Sequence, residues 1–152
     1  MKKLLLSLCL PVFACAAPFT AVHDGDTITV LDARLEETRI RLYGVDAPET
    51  NQDHGARAKE FTSAACFGQT VAVHGHEKDR YGRLVAEIIL PDGWNLNQEI
   101  VRAGFAWWYE DYAKHDTALR DLEAEARAAK RGLWASSHPT PPWEYRKHAR
   151  EK

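Results

Sequence analysis

Apolar residues change their period once along this chain, near residue 90. Before that point they recur at every second position, the repeat of a strand; after it they recur about every 3.6 residues, the repeat of a helix. "DTITVLDA" sets Ile28 and Val30 against Thr27, Thr29 and Leu31, and "TRIRLYGV" sets Ile40 and Leu42 against Arg39, Arg41 and Tyr43. The polar "DARLEE" between them suits a hairpin, and "TVAVHGH" and "GRLVAEIIL" supply two more strands before the "PDG" turn at 91–93. Short strands with tight links predict a small barrel, and the strands-then-helices order argues against the strand-to-helix α/β scaffold of an aspartate-based phosphatase.

Three helices are expected. Residues 53–68 place Ala58, Phe61, Ala65 and Cys66 near one face with Gly68 as a stop; "LNQEIVRAGFAWW" gives a second; "DTALRDLEAEARAAKRG" gives a third, with a stripe of Leu119, Leu122, Ala126 and Ala129. Asp116 is placed to cap the third helix, and Arg127, Lys130 and Arg131 complement its C-terminal dipole. Residues 135–152 read as a Pro-rich, basic tail packed by Trp143 rather than as another element.

The first 16 residues read as a signal peptide excluded from the fold: Lys2 and Lys3, the apolar "LLLSLCLPVFA", then "ACAA", with cleavage before Ala17. A rival reading makes "VFAC" a lipobox with Cys15 acylated, against which bulky Phe13 argues. The first reading makes the chain secreted or periplasmic and the rival anchors it by a lipid; in both the apolar run is too short for a transmembrane helix. Cleavage leaves 152 − 16 = 136 residues, a single domain over 17–134 plus the tail. The one remaining cysteine, Cys66, allows no internal disulfide and reads as a small buried hydrophobe. The leader removes two of 20 basic residues, leaving 18 against 22 acidic, a net of −4. That balance excludes global attraction to polyanions, so nucleic-acid binding would have to be local, through "KDRYGR" (78–83) or "EYRKHAREK" (144–152).

Strand alternation orients the arginines. If Ile40 and Leu42 face inward, Arg41 faces outward; if Leu84, Ala86 and Ile88 face inward, Arg83 faces outward too, and two forked guanidiniums share one surface. Asp24 and Asp26 flank Gly25 just before a strand, and Asp46 follows the strand that carries Arg41. Hard carboxylate oxygens gathered by loops suit Ca²⁺. Glu49, three residues beyond Asp46 and stiffened by Pro48, is placed to serve as a general base on water. "DGD" alone is a common turn; combined with a third carboxylate and two outward arginines it carries more weight.

"DGDT", "RLYGVDAPET" and "DRYGR", in that order and at these separations, resemble the thermonuclease family, the staphylococcal-nuclease-like phosphodiesterases. The resemblance runs from about Val22 to Trp134 and takes in "NQEIVRAGFAWWY" and "EAEARAAKRGLW". It implies an α+β fold, a five-stranded OB-fold β-barrel with three helices. It further implies that Asp26, Asp46 and the Ala47 carbonyl, where better-known members have threonine, hold Ca²⁺. Arg41, Glu49 and Arg83 would be catalytic, with Asp24 a supporting acid. Arg80 and Tyr81 would touch substrate, with Tyr109 and Tyr112 as approximate matches to a further contacting tyrosine. The implied activity is cleavage of the P–O5′ bond of DNA or RNA, leaving 3′-phosphates, by a monomer with no stable protein partner. The loop from Thr50 to Phe61 is shorter than in the best-known members, which bears on substrate preference. The alternative is a barrel that binds nucleic acid or a protein without cutting; retention of all three catalytic matches favours the enzyme. Trp107 and Trp108 read as core fill rather than base-stacking surfaces, and His54, His74, His76 and Cys66 match no zinc spacing.

Overall fold

The computed structural model describes residues 15–151. Their elements, in order, are β1 (Cys15–Asp24), β2 (Thr27–Leu31), β3 (Glu37–Leu42), β4 (Val45–Asp46), α1 (Gly55–Cys66), β5 (Thr70–Lys78), β6 (Leu84–Ile89), α2 (Leu96–Arg102), β7 (Trp107–Trp108), α3 (Glu110–Ala113), α4 (Thr117–Ala128), a 3₁₀ turn (Gly132–Ala135) and α5 (Pro142–Arg150). Five strands close into a barrel in the order β1-β2-β3-β6-β5. Every pairing is antiparallel except β3 with β6, where Ile40 faces Leu84 and Arg41 faces Val85. This is the expected OB-fold, of α+β class.

The alternating residues do what their period demands. Ile28, Ile40, Leu42, Ala86 and Ile88 point into the barrel and are essentially inaccessible, as are Leu96, Ile100 and Val101 of α2 on the same core. Each large aliphatic side chain so buried contributes about 1.5–3 kcal/mol. Thr27 and Thr29, on the face of β2 opposite Ile28 and Val30, are buried as well. They are tolerated because their hydroxyls have partners: Thr27 Oγ1 donates to Asp26 Oδ1 at 3.1 Å, and Thr29 Oγ1 lies 2.8 Å from His23 Nε2. Asn97, also buried, ties α2 to the barrel by accepting from the Ile88 N–H and donating to the carbonyls of Tyr43 and Ala86.

Periodicity did not reveal β1, because register shifts between Phe19 and Ala21 and between Val22 and Asp24 break its alternation. Of the expected leader, residues 1–16, residues 1–14 lie outside the described residues; Cys15 and Ala16 open β1, pairing with Val73 and Ala72 of β5. No helix among the described residues is long and apolar enough to cross a membrane.

The helices depart from expectation at two places. The second stops at Arg102, not Trp108: Gly104 turns the chain at φ +77°, where an added Cβ would meet the Arg131 carbonyl. The freed segment forms β7, which pairs with β4. The presumed tail contains α5, and the described residues form five α-helices rather than three. Pro142 at its first turn, Glu144 near its N-terminus and Lys147, His148 and Arg150 in its last turn make a self-consistent short helix. Trp143 does pack as expected, on a satellite cluster of Trp107, Ala126, Leu133 and Trp134. Asp116 caps α4 as anticipated, accepting from the Leu119 N–H, although Ala129 falls beyond the helix and is exposed.

Candidate active site

Four short segments converge beside the barrel: the β1–β2 turn with Asp24 and Asp26, β3 with Arg41, β4 with Asp46, and the loop that follows with Ala47 and Glu49. Gly25 permits the approach. A Cβ there would lie 2.7 Å from that of Ala58 on α1 and 2.8 Å from that of Ala47. With the turn pressed close, Asp26 Oδ2 accepts the Ala47 N–H at 2.6 Å, which joins the first acid to the segment carrying the others.

Arg41 lies at the centre. It leaves β3 on the outer face, as alternation requires, but the surface there is covered and its side chain is only 14% exposed. Nη1 donates to the Val45 carbonyl at 2.8 Å and forms an ion pair with Asp26 Oδ2 at 2.9 Å; Nη2 donates to Asp46 Oδ1 at 2.9 Å. Asp46 is fully buried. Burial pushes its carboxyl upward, an effect opposed by the hydrogen bond from Arg146 and reinforced by the negative charge of Asp26. Asp24 supports the Asp26 N–H from 3.3 Å, and burial together with the Asp26 charge pushes its own carboxyl up to about 7.

The second guanidinium in the cluster, Arg146 of α5, was not foreseen as a site residue. Its Nη2 lies 2.7 Å from Asp46 Oδ2, and its Nη1 lies 3.2 Å from Asp46 Oδ1 and 2.9 Å from Glu49 Oε1. Burial works against this charge, but the hydrogen bonds to Asp46 and Glu49 outweigh it and hold the group above the ordinary arginine range. A signal was present: "PPWEYRKHAR" has a proline at its start and basic residues at its end, and one helical turn separates Trp143 from Arg146.

Arg83, Arg80 and Tyr81 form a separate group at the β5–β6 turn. Asp79 organises that turn by accepting the N–H groups of Tyr81 and Arg83 at 2.9 Å, and its Oδ2 takes Arg83 Nε at 2.7 Å. Tyr81 is exposed, with the guanidiniums of Arg80 and Arg83 at 4.9 and 5.4 Å from its ring centre. The β3–β6 register puts Arg83 on the outer face that Arg41 also occupies, but its ion-pair partner is Asp79 rather than the central acids. Tyr109 borders the central group: burial and the Asp46 charge both raise its pKa, and its ring stacks on Trp143 at 5.6 Å with planes 2° apart. Exposed Tyr112 lies against it at 4.8 Å. Trp107 is buried and Trp108 half-buried, which agrees with the core reading. Burial raises the Cys66 thiol to about 12, so it is inert.

Residues 39–136 match the family described as staphylococcal nuclease homologue. This chain belongs to that family. It is 48% identical over 125 residues to an uncharacterized endonuclease of Escherichia coli O157:H7, covering 82% of this chain and 80% of that one. It is 37% identical over 135 residues to a micrococcal nuclease of Shigella flexneri, covering 83% and 77%. It is 38% identical over 134 residues to a probable staphylococcal-like nuclease of Oryza sativa subsp. japonica, covering 85% of this chain and 40% of that one.

For a staphylococcal nuclease homologue the question of a metal follows. No three His, Cys, Asp or Glu side chains among the described residues are grouped to hold one. The set at issue here is different: two carboxylates, Asp26 and Asp46, and one main-chain carbonyl. Its chemistry fits a hard divalent cation, being all oxygen and carrying more negative charge than the two guanidiniums cancel once Glu49 is included.

Proposed function

We propose that this nuclease homologue is an exported, Ca²⁺-dependent phosphodiesterase that cuts DNA, RNA or both as a monomer, breaking the P–O5′ bond to leave 3′-phosphate ends. The observation that carries the reading is Arg41 bridging Asp26 and Asp46 from neighbouring segments, with Glu49 linked to Asp46 through Arg146. Export is supported by the layout of the first 16 residues.

Asp26, Asp46 and the Ala47 carbonyl would hold the cation, which when bound supplies charge withdrawal from a phosphodiester oxygen. The chain's own groups do the rest. Glu49, one-third exposed, takes a proton from an attacking water at its carboxylate. Arg41, already fixed by the Val45 carbonyl, presents positive charge where negative charge builds on phosphorus. Arg83 adds a second guanidinium after exchanging Asp79 for phosphate, and Arg80 and Tyr81 steer the strand through charge and base stacking. Tyr109 and Tyr112 border the same region.

The test is to incubate mature protein with plasmid DNA and with RNA, in Ca²⁺ or in chelator, beside Glu49→Gln. The expected result is cleavage in Ca²⁺ alone, lowered at least ~10²-fold in the variant, the usual effect of removing one such group. Undiminished cleavage in chelator or in Glu49→Gln overturns this mechanism. No cleavage under any condition favours a barrel that binds without cutting.

A further inference from the structure

Arg146 takes coordinating positions on Asp46 and Glu49 rather than merely neighbouring them. Asp46 Oδ1 accepts from both Arg41 and Arg146, and Oδ2 accepts from Arg146. Asp26 Oδ2 accepts the Ala47 N–H and forms an ion pair with Arg41, and Oδ1 accepts from the Thr27 hydroxyl. A carboxylate oxygen offers about two lone-pair directions, so Asp46 Oδ1 is filled, and Arg146 takes one direction on each Asp46 oxygen that a cation would otherwise use.

The two guanidiniums are not equally fixed. Arg41 belongs to a central barrel strand and is also tied to the Val45 carbonyl. The polar partners of Arg146 are Asp46 and Glu49 alone among the described residues, and it arrives on the last helix of the chain. That helix is attached by few bonds. Gln52 Nε2 donates to the Thr140 carbonyl at 2.7 Å, the Tyr145 hydroxyl reaches the Asn51 carbonyl at 3.5 Å, and Trp143 leans on Tyr109 and Trp107. A cavity of about 280 Å³, lined by Pro48, Gln52, His54, His138 and Tyr145 among others, lies between the 48–54 loop and the segment leading to α5. Arg146 is therefore the displaceable counter-ion.

We propose that α5 is an autoinhibitory strap: Arg146 occupies Asp46 and Glu49 in place of a divalent cation, so that docking of α5 and cation binding at Asp26 and Asp46 exclude one another. This rests on the cation site proposed above. The coupling is reciprocal, so whatever the strap costs in cation affinity, the cation returns as loosening of the strap.

The experiment is calorimetric titration of mature full-length protein with Ca²⁺, for wild type, Arg146→Ala, Arg146→Gln and Lys147→Ala, the last removing one exposed positive charge from the same helix. Hydrogen exchange of residues 142–150 is followed with and without Ca²⁺. The expected result is Ca²⁺ affinity at least ~10-fold tighter in both Arg146 variants, little change in Lys147→Ala, and faster exchange of α5 in wild type when Ca²⁺ is added. Equal or weaker affinity in the Arg146 variants overturns the strap while leaving the cation site standing, as does exchange of α5 slowed or unchanged by Ca²⁺. Absence of Ca²⁺ binding in every protein overturns the cation site and the strap together.

Discussion

Arg41, on β3, and Arg83, in the turn just before the neighbouring β6, carry the same charged group on the same outer face, yet their surroundings differ in kind. Arg41 is shared between two buried aspartates that reach it from the β1–β2 turn and from β4. Arg83 is 26% exposed and pairs with one acid, Asp79, four residues earlier in the same turn. Around Arg41 the ion pairs hold the fold together, since each partner comes from a different segment and both acids are buried. Around Arg83 the pair is local, can open at small cost and leaves the barrel intact. Two residues with one proposed role thus divide between a fixed scaffold and a reversible contact.

The largest expected effect breaks this comparison if it fails. Arg41→Ala leaves Asp26 and Asp46 buried without their shared cation, and removal of one partner from such a pair typically costs about 3–5 kcal/mol. Arg83→Ala should change unfolding free energy by less than about 1 kcal/mol, the range of a partly exposed pair, while lowering cleavage at least ~10²-fold. Urea unfolding of the two variants in chelator separates the effects. Equal destabilisation would mean that the Asp79–Arg83 turn is as structural as the central cluster.

How much of this was readable in advance depended on distance along the chain. The β2–β3 hairpin sets Thr27 opposite Arg41, so the meeting of Asp26 with Arg41 follows from alternation and a short connection. Asp46, Ala47 and Glu49 are nearly contiguous, and their proximity needs no fold at all. The Asp79 turn could have been recognised from an acid four residues before an arginine with Gly82 between. Arg146 could not be placed, since 100 residues separate it from Asp46 and only the docking of α5 brings it in. β1 was hidden by its bulges, and α5 by a Pro-rich approach that looks like a linker until Pro142 is taken as a first-turn residue.

A smaller effect sharpens the comparison through pH. Burial and the Asp26 charge raise the Asp24 carboxyl from 3.8 to about 7 in the folded state. A raised acid favours the folded protein when protonated, so its contribution is fully present below about pH 4 and is lost as pH climbs toward about 7. The shift sets an upper bound near ~4 kcal/mol, and solvent screening at this partly accessible site brings the expected loss to about 1–2 kcal/mol. Unfolding free energies of wild type and Asp24→Asn at pH 5 and pH 8, in chelator, measure it. The wild type should lose this stability between the two values and the variant should not. A wild-type curve parallel to that of the variant would show that Asp24 is not under the electrostatic pressure assigned to the central cluster.

The smallest effect belongs to the turn. Burial acts against the charge of Asp79, but hydrogen bonds from the Arg83 side chain and backbone and from the Tyr81 N–H outweigh it and hold its carboxyl below the usual range. A depressed acid contributes stability above its unfolded pKa and loses it as pH falls further, so this contribution is intact at neutral pH and disappears only below about pH 4. Asp79→Ala removes the acceptor for two backbone donors and one guanidinium, at an expected cost of about 1 kcal/mol for contacts this close to solvent. The same substitution frees Arg83 and takes one negative charge from the surface that would meet a phosphate strand. Binding of a non-cleavable oligonucleotide should therefore tighten a few-fold at low salt, with the gain fading as salt screens it. A loss of oligonucleotide affinity would instead mean that Asp79 holds Arg83 in the orientation the strand requires, and the contact called reversible here would have to be counted with the fixed scaffold around Arg41.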